Sequence, residues 1–355
     1  MKQKVFRICV SAALLLSFLF GLFACGNRSV INFTAFNTEV YIAVKGNISS
    51  ETETSVKSVL LDLENSLSIN KNGEISAFNN KSAGETTALS EDSLLVFNKA
   101  KELYFFTDGL FNPAVLPLLR LWKLSSDTFD NKIITITPPA SNDVADLLPL
   151  CDFNKITEKD GAISKAENGI CVDFGGIAKG YAVDKVKTVL SNAGVTEGYI
   201  SVGGSSIYVF STDENLSVVH PRKSGEYIFT VDKALIKNSP LSTSGDYIRY
   251  YTDTDGNRYP HIINGFTGYP VNTGIASATV IAKESATDSL RSACATDAIS
   301  TALTLMEKES ATEFIKSRLK DFYVFLVYEK NGIKEIISNT DKIDIFDGDY
   351  ALTLI

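Results

Sequence analysis

Histidine is scarce in this sequence: 355 residues contain two, His220 and His261. Cysteine is sparse too, with five in the chain and no Cys-x-x-Cys spacing. That argues against a disulfide framework and against a thiolate zinc site. A single disulfide among Cys151, Cys171 and Cys294 stays open. Basic runs are missing beyond the first few residues, and the formal net charge is −8. Nucleic acid is therefore not expected as a partner, because phosphate neutralisation needs concentrated Lys and Arg. Neither a GxGxxG dinucleotide fingerprint nor a P-loop occurs, so neither of those folds is inferred. No internal repeat or long linker appears. An acidic chain that binds an anion must compensate locally, with a metal ion or backbone amides.

What is present points outward from the cytoplasm. Lys2, Lys4 and Arg7 precede the apolar run CVSAALLLSFLFGLFA, which ends before Cys25. A basic n-region and a short apolar h-region make a secretory signal. The stretch LFAC resembles a bacterial lipobox, so Cys25 is the expected lipidation site; an ordinary N-terminal helical anchor is the alternative. The expected organisation is a signal peptide over residues 1–24, a lipidated tether over 25–32 and one folded domain over 33–355. The mature protein is expected to face outward from the cell membrane, held by acyl chains at about 0.8 kcal/mol per buried CH₂.

Hydrophobic residues make up 45% of the chain, enough for a sizeable core. VINFTAFNTEVYIAV alternates as a strand, and residues 50–67 carry apolar positions at helical spacing. SINKNGEISAFNN reads as a polar segment with a turn at Asn72-Gly73, and Ser90 opens a helix running to Thr107. CVDFGGIAKGYAVDKVKTVLSNAG reads as strand, glycine turn and helix. YISVGGSSIYVFS reads as a strand with a central glycine pair. SLRSACATDAISTALTLMEKE reads as one helix, and YVFLVYEKNGIKEIIS as a hairpin turning at Asn331-Gly332. The irregular alternation gives an α+β fold with mixed sheets.

Three constellations can carry chemistry. In DFGGIAKG (173–180), paired glycines before a helix offer free backbone N–H groups to an anion, with Lys179 as a point charge. The alternative is a plain strand-to-helix turn. In ACATDAISTALTLM (293–306), Asp297, Ser300 and Thr301 share one helical face and present hard oxygens that suit Mg²⁺. An internal Asp hydrogen-bonded to Thr301 fits the same spacing. In STSGDYIRYY and HIINGFTGYP, hydroxyls and glycine turns surround His261, which is either a base working near neutral pH or a loop-capping imidazole. His220 reads as a strand end entering a surface turn.

Taken together, these stretches resemble the ApbE family, the FAD:protein FMN transferases. The family pattern stands here as DFGGIAKGYAVD, STSGDYIRYY, HIINGFTGYPV and TDAISTAL, with DGLFNPAVLPLLRLW upstream. The resemblance covers roughly residues 33–330. It implies a single ApbE-type, T-fold-like α+β domain with mixed and antiparallel sheets and flanking helices. It also implies Mg²⁺-dependent transfer of FMN from FAD to a Thr or Ser hydroxyl of a target flavoprotein, releasing AMP. The implied Mg²⁺ ligands are Asp297, Thr301, Ser300 through its backbone and the Gly176 carbonyl. Contacts to FAD are implied for Phe36, Asn70, Leu110, Phe111, Asn112, Asp173, Lys179 and Ile263, the last through its backbone. His261 matches the family histidine and is the implied base. The implied partner is a flavoprotein of a membrane or extracytoplasmic electron-transfer system.

The chain departs from the pattern at Asn264-Gly265, where Asp-Pro is usual, and at Asn112, where Asp is usual. Asn70 stands in place of an aromatic. A less tightly held ring favours attack by water, so a Mg²⁺-dependent FAD pyrophosphatase is the alternative enzyme. A flavin-binding surface lipoprotein without chemistry is the alternative of another class.

Overall fold

A computed structural model describes residues 28–130, 133, 135–287 and 289–355. Its frame is a nine-stranded sheet built in chain order. The strands are β1 (Arg28–Ala35), β2 (Thr38–Lys45), β3 (Gly198–Val202), β4 (Ser206–Ser211), β5 (Ser239–Gly245), β6 (Ile275–Ala282), β7 (Phe322–Lys330), β8 (Ile333–Ser338) and β9 (Ala351–Leu354). Neighbours are antiparallel except β8 and β9, which run parallel. Both faces are covered. Helices α1 (Ser50–Leu67), α2 (Glu74–Asn80), α3 (Glu91–Phe106), α4 (Ala178–Asn192) and α5 (Ala293–Thr304) supply the core on one face, with Ile42, Ile200, Ala278 and Val324 from the sheet. A second sheet of Leu216–Val219, Tyr227–Val231 and Ile343–Ile345 covers the other face, packing Phe229 and Val231 on Val209 and Phe325. Burial on two sides explains why β6, IASATVIA, is apolar or small throughout and buried at every position.

Local chemistry explains the ends of the elements. α1 starts at Ser49, whose side chain accepts from the Thr52 N–H, and its buried positions Val56, Leu60, Leu63 and Leu67 follow the helical period. α3 starts in the same way at Ser90.

Several expectations are corrected. Residues 30–44 form not one strand but the β1–β2 hairpin, closed by Phe36 (φ 55°) and Asn37 (φ 54°). Residues 28–32 lie in β1, so the tether expected over 25–32 does not reach that far; Cys25 and the signal segment lie outside the described residues. The segment expected to be polar bends at Asn72-Gly73, as expected, but then continues as α2, which buries Ile75 and Phe78. Cys171–Asp173 is irregular rather than a strand. The Gly203-Gly204 pair, with φ 63° and 64°, separates two strands instead of sitting inside one. The helix expected over 289–309 is two, α5 and α6 (Lys308–Arg318). Cys151, Cys171 and Cys294 are free and buried. His220 does follow the strand Leu216–Val219 into an exposed turn, but its side chain is buried, with Nε2 3.0 Å from Asp347 Oδ2.

Candidate active site

The site is built where α4 and α5 cross. Gly180, in the first turn of α4, permits a close approach, since a Cβ there would lie 2.2 Å from the Ala293 carbonyl oxygen. Asp184, one turn on, accepts the Ala293 N–H at 2.8 Å and the Cys294 N–H at 2.9 Å, capping α5 from another helix. Burial pushes its carboxyl up to about 7, although the two N–H groups pull the other way.

That crossing fixes Asp297. It is buried, and its Oδ2 accepts the Gly180 N–H at 3.1 Å and faces Lys179 Nζ at 3.7 Å. Lys179 Nζ also donates to the Gly175 carbonyl at 2.8 Å, so the lysine is held over the glycine turn. One helical turn along α5, Ser300 Oγ and Thr301 Oγ1 donate to the Asp297 carbonyl at 2.9 and 3.0 Å. Ser244, near the end of β5, joins them, with its Oγ 2.8 Å from Ser300 Oγ and 3.1 Å from Thr301 Oγ1. Gly176 completes the wall: a Cβ there would lie 3.7 Å from Thr301 Oγ1 and 3.2 Å from the Phe111 ring. Among the described residues no cluster of three His, Cys, Asp or Glu is suited to a metal. A cation here would meet one carboxylate with hydroxyl and carbonyl oxygens, a set that suits Mg²⁺ sharing the rest of its shell with phosphate and water.

The remaining residues line this core. Asp173 accepts the Gly175 N–H at 2.8 Å, and its own N–H donates to the Pro113 carbonyl at 2.9 Å, joining the glycine turn to the Leu110–Asn112 segment. Burial raises the Asp173 carboxyl, opposed by the Gly175 N–H and by the charges of Arg249 and Lys179. The β1–β2 hairpin tip reaches Lys179 through Gly203, where a Cβ would lie 3.0 Å from Thr38 and 3.5 Å from Lys179 Cδ. Phe36 is half-buried at that tip.

His261 sits on a short strand pair, Tyr250–Thr252 with Arg258–Pro260. Its backbone N–H donates to the Arg249 carbonyl at 3.0 Å, and its Nδ1 lies 3.2 Å from the same oxygen. A carbonyl only accepts, so Nδ1 carries the hydrogen and Nε2 keeps its lone pair. Burial, then the Arg249 and Lys179 charges, push the imidazole down to about 3. It is neutral at physiological pH. Ile263 follows in a bridge with Pro270 whose bonds are Asn264 N–H to Tyr269 O and Val271 N–H to Ile262 O. The N–H and C=O of Ile263 take no part in that bridge. Trp122 holds the loop by donating to the Gly268 carbonyl at 2.9 Å and stacking on Tyr259.

Two of the departures from the expected pattern meet in space. Asn264 Oδ1 accepts the Phe266 and Thr267 N–H groups, closing its own turn. Beside it, a Cβ at Gly265 would lie 2.8 Å from Asn112 Nδ2, which donates to the Cys151 carbonyl at 2.7 Å. An Asp at position 112 would have no such hydrogen to give. Asn70 stays apart: it is exposed and donates to Ser126 Oγ at 3.1 Å. Sequence reasoning gave no role to Arg249, Asp184 or Trp122, and singled out Ser244 only as one hydroxyl of a polar stretch. Asp184 was visible as the last letter of DFGGIAKGYAVD; nothing local marks Arg249.

The chain matches the ApbE family over residues 34–326. It belongs to that family. A relative from Vibrio cholerae, named FAD:protein FMN transferase, is 27% identical over 319 residues, covering 87% of this chain and 89% of its own. A relative of the same name from Treponema pallidum is 24% identical and covers 84% and 82%. Among solved structures, the flavin transferase ApbE from Vibrio cholerae superposes with a TM-score of 0.75 at 22% identity, covering 88% of this chain and 97% of that one. The ApbE protein from Thermotoga maritima gives 0.72 at 24% identity, covering 85% and 94%. These structural likenesses place the α+β fold of this chain among ApbE proteins.

Proposed function

We infer that this ApbE protein transfers the FMN portion of FAD to a Thr or Ser hydroxyl of a target flavoprotein and releases AMP. One observation carries the reading: Asp297, with the Thr301 and Ser244 hydroxyls beside it, faces Lys179 across the glycine turn, while the nearby His261 keeps a free Nε2 lone pair. In the reaction the acceptor oxygen bonds to the FMN phosphorus, the anhydride bond breaks, and its electrons leave on AMP. His261 Nε2 takes the hydroxyl proton, a role worth roughly 10²–10⁴-fold. Lys179 and the glycine-turn amides offset the growing phosphate charge. Asp297, Thr301, the Gly176 carbonyl and the Ser300 backbone would hold Mg²⁺, which supplies a Lewis acid for the phosphate oxygens. Phe36, Leu110, Phe111, Asn112, Asp173 and the Ile263 backbone would form the nucleotide wall; Asn70, bonded to Ser126, has no part in it.

The N-terminal signal and Cys25 support an outward-facing lipoprotein whose targets are membrane-associated electron-transfer proteins. Cys25→Ser is expected to move the protein from the membrane to the soluble fraction; unchanged membrane retention contradicts lipidation there. For the chemistry, the protein is incubated with FAD, Mg²⁺ and an acceptor flavoprotein, and AMP, free FMN and covalent flavin are resolved. AMP with flavin on the acceptor supports transfer. AMP with free FMN alone makes the protein a pyrophosphatase, and neither product leaves a flavin binder.

A further inference from the structure

Arg249 differs from four other arginines of the fold. Arg120, Arg222, Arg258 and Arg318 each have a carboxylate within 4.0 Å. Arg249 has none among the described residues, and no protein acceptor takes its guanidinium hydrogens. The side chain is half-buried; among the described residues it lies over the Phe129 ring, 5.6 Å from its central carbon to the ring centre, and the carboxylate whose charge reaches it is Asp173. A partly desolvated cation with no carboxylate in contact is costly to keep, and burial lowers its hold on its proton although the Asp173 charge opposes this. Its position is also special. The Arg249 carbonyl anchors His261 by two contacts, and its charge is felt by both Asp173 and His261.

We propose that Arg249 is a diphosphate-binding residue of this site, and that filling it with the diphosphate prepares His261 to accept a proton. This rests on the flavin-transfer reading. A planar guanidinium suits bidentate binding of phosphate oxygens. The consequence for His261 follows from its surroundings. The two cations that face it are Arg249 and Lys179. Asp173 faces both cations from the segment before α4, with Asp127 acting on it; Asp297 faces Lys179 from α5, and Asp246 is taken by Arg222. In the free protein the cations therefore oppose a third positive charge on the imidazole. A bound diphosphate cancels them, and the proton affinity of Nε2 rises when the acceptor hydroxyl arrives.

The test uses the full protein and its Arg249→Gln and Arg249→Lys variants, with melting curves to confirm folding. Binding is measured for FAD, for ADP and for riboflavin, which lacks phosphate. Arg249→Gln is expected to weaken FAD and ADP roughly 10- to 100-fold, the range for losing a charged hydrogen bond, and to leave riboflavin unchanged. Because the chain has two histidines, the His261 ring proton can be titrated by NMR against His220. Its midpoint should rise in Arg249→Gln, and in the wild type on adding ADP. Arg249→Lys should keep the low midpoint while recovering part of the affinity. Equal losses for riboflavin and ADP, or an unmoved His261 midpoint, would overturn the proposal. A wild type that binds ADP yet makes neither AMP nor flavinylated acceptor refutes flavin transfer instead, so the two failures are distinguishable.

Discussion

Gly180 donates its backbone N–H to Asp297 Oδ2 across 3.1 Å, so the residue that lets two helices touch also orients the buried carboxylate between them. A Cβ at Gly180 would strike the Ala293 carbonyl at 2.2 Å, a backbone atom that cannot rotate away. Gly180→Ala is expected to destabilise the fold by about 1–3 kcal/mol. Thermal unfolding checks this; an unchanged melting temperature would mean the crossing is looser than described.

Ser244 touches both Ser300 and Thr301 without being one of the residues assigned to the metal. Its hydroxyl orients theirs. Ser244→Ala should raise the Mg²⁺ concentration for half-maximal AMP release by about 10–100-fold, as loss of an orienting partner commonly does. Asp297→Asn should raise it further. FAD affinity without Mg²⁺ should be nearly unchanged in Ser244→Ala; titrations of both ligands decide.

Asp184 and His261 give stability opposite dependences on pH. The carboxyl of Asp184 is raised from 3.8 to about 7, so the folded state binds the extra proton and its contribution is lost as pH climbs through that interval. The imidazole is lowered from 6.5 to about 3, so its contribution is full above 6.5 and lost as pH falls towards 3. Between about pH 4 and 6.5 the two slopes oppose each other. Melting temperatures across that window should rise more steeply with pH in Asp184→Asn than in the wild type, and should fall or flatten in His261→Gln. The reverse order would contradict both assignments.

How much of this was readable beforehand depended on whether the cause was local. α1 and α3 were legible because Ser49 and Ser90 cap them and their apolar spacing is regular. The β1–β2 hairpin was hidden because Phe36-Asn37 turns without glycine, an aromatic taking a positive φ. The break between α5 and α6 was hidden because Leu305 and Met306, both buried, continue an apolar pattern through the end of the helix. In the site, Asp297 and Thr301 could be paired by their spacing on one helix. Arg249 could not, because its relation to Asp173 and Lys179 is created by folding across distant segments. Asp184 capping α5 from 109 residues away is the same kind of information.

Flavin transfer by His261 is tested by the ratio of AMP released to flavin covalently attached to an acceptor protein, in wild type and in His261→Ala. The wild type should attach one flavin per AMP and depend on Mg²⁺, and His261→Ala should lose roughly 10²–10⁴-fold with FAD binding largely kept. AMP accompanied only by free FMN, or a rate untouched by His261→Ala, would contradict it.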